Sequence, residues 1–289
     1  MLRRTLGVLT VLVVAACSSE ESRIPTASPT LAFNQPDGVD LDGTADLIVD
    51  AKSTENKWRI KTENLPANFC SVQEGNVTPG ERRLLRFTVT TPNIGDADVY
   101  IGDPNEHYAA GDGLYELSTC HGHYHFRNYA EYRLISAADN KTWRSAKAGF
   151  CMLDTDPYLP EMRDSPRNYR NCGFPGYPGF QGISAGWSDT YVWKLGGQYF
   201  VLDGGDGQQA VPEGWYWIQV TVNPGFAPTG KKGCTRATDP SGLCHNFAES
   251  NYANNVMRVK IYIPATGPAG PYRNEKDPTA ADEIEHAGR

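Results

Sequence analysis

Trp215-Tyr216-Trp217-Ile218-Gln219-Val220-Thr221-Val222 is the stretch that decides the fold class. Tyr216, Ile218, Val220 and Val222 alternate with Trp215, Trp217, Gln219 and Thr221. Successive side chains of a β-strand point to opposite faces, so a period of two marks a strand with one side buried. Residues 212–214 precede the run and Pro224-Gly225 closes it, as turn residues do. Met257, Val259, Ile261 and Ile263 repeat the alternation up to Pro264. Residues 84–90, 131–136 and 199–203 read as further strands, the last closed by Gly204-Gly205. No segment carries a long apolar period of 3.6 residues. The expected fold is therefore mainly β, an antiparallel sandwich or barrel of short strands.

The chain has 289 residues, 39% of them hydrophobic, which is enough for a packed core. The 29 Gly, 20 Pro and 21 Tyr plus Trp favour a loop-rich β protein over a helical one. Residues 1–16 read as a signal peptide: Arg3 and Arg4 precede an apolar run too short to span a bilayer. Val14-Ala15-Ala16-Cys17 resembles a bacterial lipobox, so Cys17 is expected to carry lipid, with residues 17–44 as a polar tether. That reading places the protein outside the cytoplasm, lipid-anchored to the cell envelope or secreted. The membrane is touched through the anchor only. The folded domain is expected over 45–265, with a polar, disordered tail over 266–289. Without Arg3 and Arg4 the chain has 25 basic and 34 acidic residues, a net charge of −9, which argues against a nucleic-acid partner. Six cysteines remain beyond Cys17, and an even number in an exported chain suggests three disulfides among 15 possible connectivities.

Three of the six histidines fall within Cys120-His121-Gly122-His123-Tyr124-His125. On a strand, His121, His123 and His125 would share one face. A row of imidazoles suits copper, zinc, iron or nickel. Two other pieces carry chemistry. One runs Ala146-Lys147-Ala148-Gly149-Phe150-Cys151-Met152-Leu153-Asp154-Thr155, the other Gly182-Ile183-Ser184-Ala185-Gly186-Trp187-Ser188-Asp189-Thr190-Tyr191. Taken singly, Lys147 reads as a surface lysine and Tyr191 as a core tyrosine.

Taken together, in this order, the three pieces resemble the catalytic domain of the lysyl oxidases. The Cys-His-x-His-x-His copper strand of that family is matched from Cys120 to His125. Its cofactor lysine motif is matched at Lys147, except that Met152 precedes Leu153. Its Gly-x-Ser-x-Gly-x-x-Asp-Thr-Tyr motif is matched up to Tyr191. Val222-Asn223-Pro224 and the run from Glu249 to Asn255 match two later motifs. The resemblance covers roughly residues 45–263 and implies an antiparallel β-sandwich of the lysyl oxidase catalytic-domain type with long ordered loops.

The resemblance also implies a reaction. Copper promotes oxidation of the Tyr191 ring, the Lys147 amine adds to it, and the resulting lysine tyrosylquinone oxidises a primary amine, protein lysine or a small amine, to an aldehyde. Molecular oxygen re-oxidises the cofactor, and peroxide and ammonia leave. The protein supplies metal ligands, positioning and a base. Asp189, two residues before Tyr191 and on the same strand face, is the candidate base or orienting group. The family further implies a calcium site from Asp46, the Leu47 carbonyl, Glu249, Asn251, Asn254 and Asn255, with Asn251 standing where animal members carry Asp. It implies a Cys120–Cys172 disulfide, which leaves Cys70 with Cys151. Cys234 and Cys244 are near enough in sequence to clamp the loop around 231–245. Departures from the animal pattern fall at Glu131 and Arg133, where substrate preference is expected to differ. Two other readings compete: a non-catalytic metal-binding or adhesive surface lipoprotein on the same fold, and a zinc hydrolase built on the three histidines.

Overall fold

The computed structural model of the chain describes residues 39–147, 149–162, 167–228, 234–272 and 276. The expected signal peptide and lipidated Cys17 lie outside the described residues, as does most of the tether. In chain order the first elements are α1 (Ala51–Asn56), β1 (Trp58–Leu65), α2 (Cys70–Glu74), β2 (Gly80–Phe87), β3 (Val89–Pro92), β4 (Val99–Gly102) and α3 (Pro104–Ala110). They are followed by β5 (Tyr115–Ser118), β6 (His123–Phe126), β7 (Ala130–Ser136), β8 (Thr142–Arg144), β9 (Asp156–Pro157) and β10 (Gln181–Ile183). The last are β11 (Trp187–Tyr191), β12 (Tyr199–Val201), β13 (Gly214–Val222), β14 (Ala237–Thr238), β15 (Cys244–His245) and β16 (Val256–Ile263). No described helix is long and apolar enough to cross a membrane.

The protein is mainly β, and its strands pair antiparallel. The largest sheet has the order β16-β13-β7-β8, and the two strands that alternate most clearly in sequence lie beside each other in it. In β13, Tyr216, Ile218, Val220 and Val222 are buried, as the alternation requires, and β16 buries every second residue from Met257 to Ile263. The sheet β1-β2-β12 faces it across one core, where the Phe87 ring lies 5.4 Å from Tyr132 and 5.1 Å from Phe200. The expected strand over 84–90 is divided between β2 and β3, which belong to different sheets. Shorter sheets, β3-β11-β9, β10-β4 and β5-β6, carry the tyrosine motif and two of the three clustered histidines.

A charged cluster sits at the end of this core. Glu63 accepts from Arg59 Nη2 at 2.7 Å and from Arg86 Nε at 2.8 Å, and all three side chains are at most 5% exposed. Arg59 stacks on Trp193 at 4.0 Å, and Arg86 donates to the carbonyls of Trp193 and Leu195. The triad thus fixes the 193–196 loop, which reappears as a wall of the site below.

Three expectations are corrected. The disulfides are Cys70–Cys120, Cys151–Cys172 and Cys234–Cys244, with Cα–Cα distances of 5.5, 5.5 and 5.1 Å, inside the range a disulfide needs. Only Cys234–Cys244 agrees with expectation. The Cys120–Cys172 and Cys70–Cys151 pairs do not form because the 167–174 loop packs on the lysine-bearing loop, burying Cys151 and Cys172 with Leu153 and Tyr169, while α2 packs on the turn that holds Cys120. Second, residues 266–272 are not a disordered tail: Ala269 exchanges backbone hydrogen bonds with Ile60 at 2.8 and 3.2 Å, and Tyr272 stacks edge-on against Trp193. Third, the tether is anchored before residue 45, since Asp98 donates its amide to the Asp40 carbonyl and Thr44 donates to Asp96.

Replacing Glu63 by Ala leaves two buried guanidinium groups without their carboxylate. Urea denaturation should show a loss of about 3–5 kcal/mol. A loss below about 1 kcal/mol, the range of a solvent-exposed pair, would contradict the role given to the triad.

Candidate active site

The histidine row is built from a hairpin rather than one strand. Only His123 and His125 lie on β6, opposite Ser118 and Glu116 of β5. His121 sits in the connecting turn, where Gly122 adopts a φ of +72°. That left-handed backbone suits glycine, and the turn closes through Gly122 N–H to the Ser118 carbonyl at 2.8 Å. The expected single-strand spacing is therefore corrected for His121, but the three rings still converge. Their centroids are 5.4, 5.0 and 5.1 Å apart. An ion at the centre of that triangle would lie about 3 Å from each centroid. A metal–nitrogen bond of about 2 Å plus roughly 1 Å from nitrogen to ring centre gives the same distance, so the ring spacing leaves room for a transition-metal ion, while the ligand atoms that come within 4.8 Å of one another are those of Glu74, His121 and His125. Burial first, then the charges of Lys147 and the neighbouring imidazoles, push His125 down to about 3, so its ring is neutral at pH 7 and able to donate a lone pair.

Glu74, the last residue of α2, joins this group. Its carboxylate lies 3.2 Å from His121 Nδ1, and Glu74, His121 and His125 bring ligand atoms within 4.8 Å of one another. Burial raises the Glu74 carboxyl, but hydrogen bonds from His121 and Ser118 outweigh it and hold the group at about 2, ionised. Sequence reading missed Glu74. It lies four residues after Cys70, and the signal that could have found it is the Cys70–Cys120 disulfide, which brings α2 to the histidine turn.

The lysine loop is stitched to the hairpin along its backbone. Phe126 donates to the Phe150 carbonyl at 2.7 Å in an isolated bridge. Gly149 lies so close to His125 that a Cβ there would sit 1.9 Å from Nδ1. The glycine of the lysine motif is thus a requirement of close approach. Buried Gln181, also missed in the sequence, ties three segments: it accepts from Met152 N and donates to the carbonyls of Tyr124 and Cys172.

Tyr191 ends β11 and is fully buried. Its hydroxyl donates to the Cys151 carbonyl at 2.8 Å and accepts from the Cys151 amide at 3.0 Å. Burial, then the Asp189 charge, push the phenol well above its ordinary value. Lys147 Nζ lies 5.1 Å from the centre of the Tyr191 ring and 3.4 Å from the Gly196 carbonyl. Forty-four positions apart in sequence, these two side chains line one cavity of about 20 Å³ with the three histidines, Gly149 and Leu195. A more open pocket of about 300 Å³ shares Lys147 as a wall and adds Glu74, Glu131, Arg144 and Asp206. Asp189 is fully buried on the strand that carries Tyr191 and does not line the cavity. Behind it, Asp154 accepts from Ser184 N and Oγ and from the amides of Asn168 and Tyr169, pinning the loop between the two motifs.

The second expected ion site is assembled in part. Glu249 accepts from Leu47 N at 2.6 Å, from Asn223 at 2.7 Å and from Asn255 at 2.8 Å, and Asn254 donates to Asp46 at 2.9 Å. The side-chain carbonyl oxygens of Asn254 and Asn255 are buried without hydrogen-bond partners. Asn251 is exposed and accepts from Ala253 N in a turn of its own, apart from the cluster. It is Leu47's amide, not its carbonyl, that meets Glu249. Burial is the largest influence on the Glu249 carboxyl and pushes it up to about 7.

Residues 60–232 match the family model described as lysyl oxidase. Lysyl oxidase homolog 2A of Danio rerio is 30% identical over 233 residues, which are 77% of this chain and 26% of that protein. Lysyl oxidase homolog 3B of the same organism is 29% identical over 224 residues, 74% of this chain and 23% of that protein. Lysyl oxidase homolog 2 of Homo sapiens is 27% identical over 262 residues, 87% and 28% of the two chains. The chain spans about a quarter of the length of these curated relatives.

Gly149→Ala forces the new methyl against the His125 ring. Denaturant unfolding should show a loss of about 1–3 kcal/mol, the usual result of overpacking. Unchanged stability would mean that the lysine loop does not lie against His125 as described.

Proposed function

The chain belongs to the lysyl oxidase family, and from that premise we propose that it is a copper-dependent amine oxidase that makes its own quinone from Lys147 and Tyr191. The observation that carries the reading is the 5.1 Å between Lys147 Nζ and the Tyr191 ring, inside a cavity walled by three histidines. His121, His123 and His125 are the proposed copper ligands. Bound copper and oxygen would supply the oxidation of the buried ring, and the cross-linked quinone would take the electron pair from a primary amine. In sum, R–CH2–NH2, O2 and water give R–CHO, NH3 and H2O2.

The rest falls to the chain. The Gly196 carbonyl holds Lys147 Nζ beside the ring it would join. The Cys151 backbone fixes the ring through its hydroxyl. Phe150 packs edge-on against Tyr191 at 5.3 Å and helps keep water from it. Asp189, on the same strand face but outside the cavity lining, is proposed to orient the ring, and would take up the substrate's α-proton only if the site opened to it. The 300 Å³ pocket is the proposed entry for the amine. In it Glu131, paired with Arg133 at 2.6 Å, stands where animal members have another residue and is proposed to bear on substrate choice. An exported, lipid-anchored location is proposed from the lipobox and would place this chemistry in the cell envelope. A non-catalytic metal-binding or adhesive role is weaker, because holding a metal asks nothing of Lys147 or Tyr191.

Copper-reconstituted protein should release peroxide when given primary amines. Lys147→Ala and Tyr191→Phe should each reduce that release to background while still binding copper. The triple His121, His123 and His125 to Ala variant should bind none. Release that persists in both single variants would defeat the mechanism.

Calcium is proposed as a second, structural ion, held by Asp46, Glu249, Asn254 and Asn255, with the Leu47 carbonyl and Asn251 completing the shell only if their loops turn inward. Added calcium should raise the melting temperature of chelator-treated protein, and Asn255→Ala should remove the rise. A melting temperature that calcium leaves unmoved would exclude the site.

A further inference from the structure

A chain of hydrogen bonds outside the proposed ligand set decides which nitrogen His121 can offer to a metal. Ser118 Oγ has one proton, and it donates this to Glu74 Oε1 at 2.5 Å. The same Oγ accepts from the His121 backbone amide at 2.9 Å. His121 Nδ1 lies 3.0 Å from Ser118 Oγ and 3.2 Å from Glu74 Oε2. Both carboxylate oxygens face donors, Oε1 taking the hydroxyl proton of Ser118 and Oε2 lying against Nδ1, so the Ser118 proton is already spent. The proton between Nδ1 and these two oxygens must therefore come from the ring. A neutral imidazole protonated at Nδ1 carries its lone pair on Nε2.

We infer that Glu74 is a positioning residue that locks His121 in the Nδ1–H form and aims Nε2 at the metal, with Ser118 as its relay. Ser118 engages one of its oxygens and His121 the other, so in this inference Glu74 holds the imidazole in place. Carboxylates of this kind orient metal-bound imidazoles and raise their basicity, and their loss costs about 10–100-fold in metal affinity. The arrangement is supported covalently. Cys70 opens the helix that Glu74 ends, and its disulfide to Cys120 holds that helix against the turn carrying His121. The same carboxylate faces the larger pocket, so the group that orients His121 also borders the proposed route of the substrate.

This inference rests on the copper reading, and its test separates the two. The full chain, freed of metal, is titrated with Cu(II) against a competing chelator, and the Cu(II) electron paramagnetic resonance spectrum is recorded. Glu74→Gln places an amide N–H toward one of the two partners and breaks the relay. Its copper affinity should fall about 10–100-fold with a changed spectrum. Glu74→Asp should recover part of the loss. In a His121→Ala background, Glu74→Gln should cost nothing further. Unchanged affinity and spectrum in Glu74→Gln would overturn the inference, as would an equal loss in the His121→Ala background, since Glu74 would then act independently of His121. A readout without substitution guards against misfolding: in the metal-free protein, at a pH where the ring is neutral, nitrogen NMR should find the His121 proton on Nδ1. A proton on Nε2 would overturn the inference as well. Failure of the unaltered chain to bind Cu(II) would strike the copper reading first and this one with it.

Discussion

The Tyr191 hydroxyl is bonded twice to one residue, donating to the Cys151 carbonyl and accepting from its amide. The rest of the site depends on that clamp. It holds the end of β11 against the loop that begins at Lys147, so the ring and the amine that flank it are set by the same backbone. The Cys151–Cys172 disulfide fastens that loop from behind, and the Phe126–Phe150 bridge fastens it to the histidine hairpin. The clamp is also chemically apt. A ring carbonyl in place of the hydroxyl would keep the bond from the Cys151 amide and lose only the one to its carbonyl. Oxidation of the ring therefore need not release it.

Rigidity around the site comes from groups that are costly to bury and costly to leave unpaired. Gln181 spans three segments, Asp154 gathers four donors, and Glu63 joins two arginines, each within a dry interior. Breaking one partnership strands the others. Such networks hold the cavity's walls at fixed separations, as preorganised chemistry requires. The 20 Å³ cavity is too small for an amine substrate, whereas the adjoining 300 Å³ pocket is not. Lys147 stands between the two, so a cofactor built on it would face both the histidines and the incoming amine.

Much of this was legible in the sequence because it rests on periodicity and on local motifs. The alternation in β13 and β16 is a property of neighbouring residues, and their buried faces are those the alternation names. His123 and His125 obey the same rule. His121 does not, because Gly122 turns the chain, and a glycine between two histidines carries no sign of which way it will turn. Disulfide pairing lay beyond reach for a different reason. It depends on which loops pack together, and two of the three pairs were assigned wrongly from resemblance and remainder. Glu74 shared that fate, since only the Cys70–Cys120 bond brings it to the histidines. Residues 266–272 are rich in Gly and Pro, yet backbone pairing at Ile60 and a ring contact at Trp193 order them.

The central claim is that Lys147 and Tyr191 become one cofactor beside copper held by the three histidines. It is tested most directly by treating copper-loaded protein with phenylhydrazine, which labels quinone carbonyls, and mapping the labelled peptide by mass spectrometry. The expected result is one coloured adduct on a peptide in which the Tyr191 ring is covalently joined to Lys147, absent when copper is withheld. Copper-loaded protein with no adduct, and with Lys147 and Tyr191 recovered on separate unmodified peptides, would contradict it.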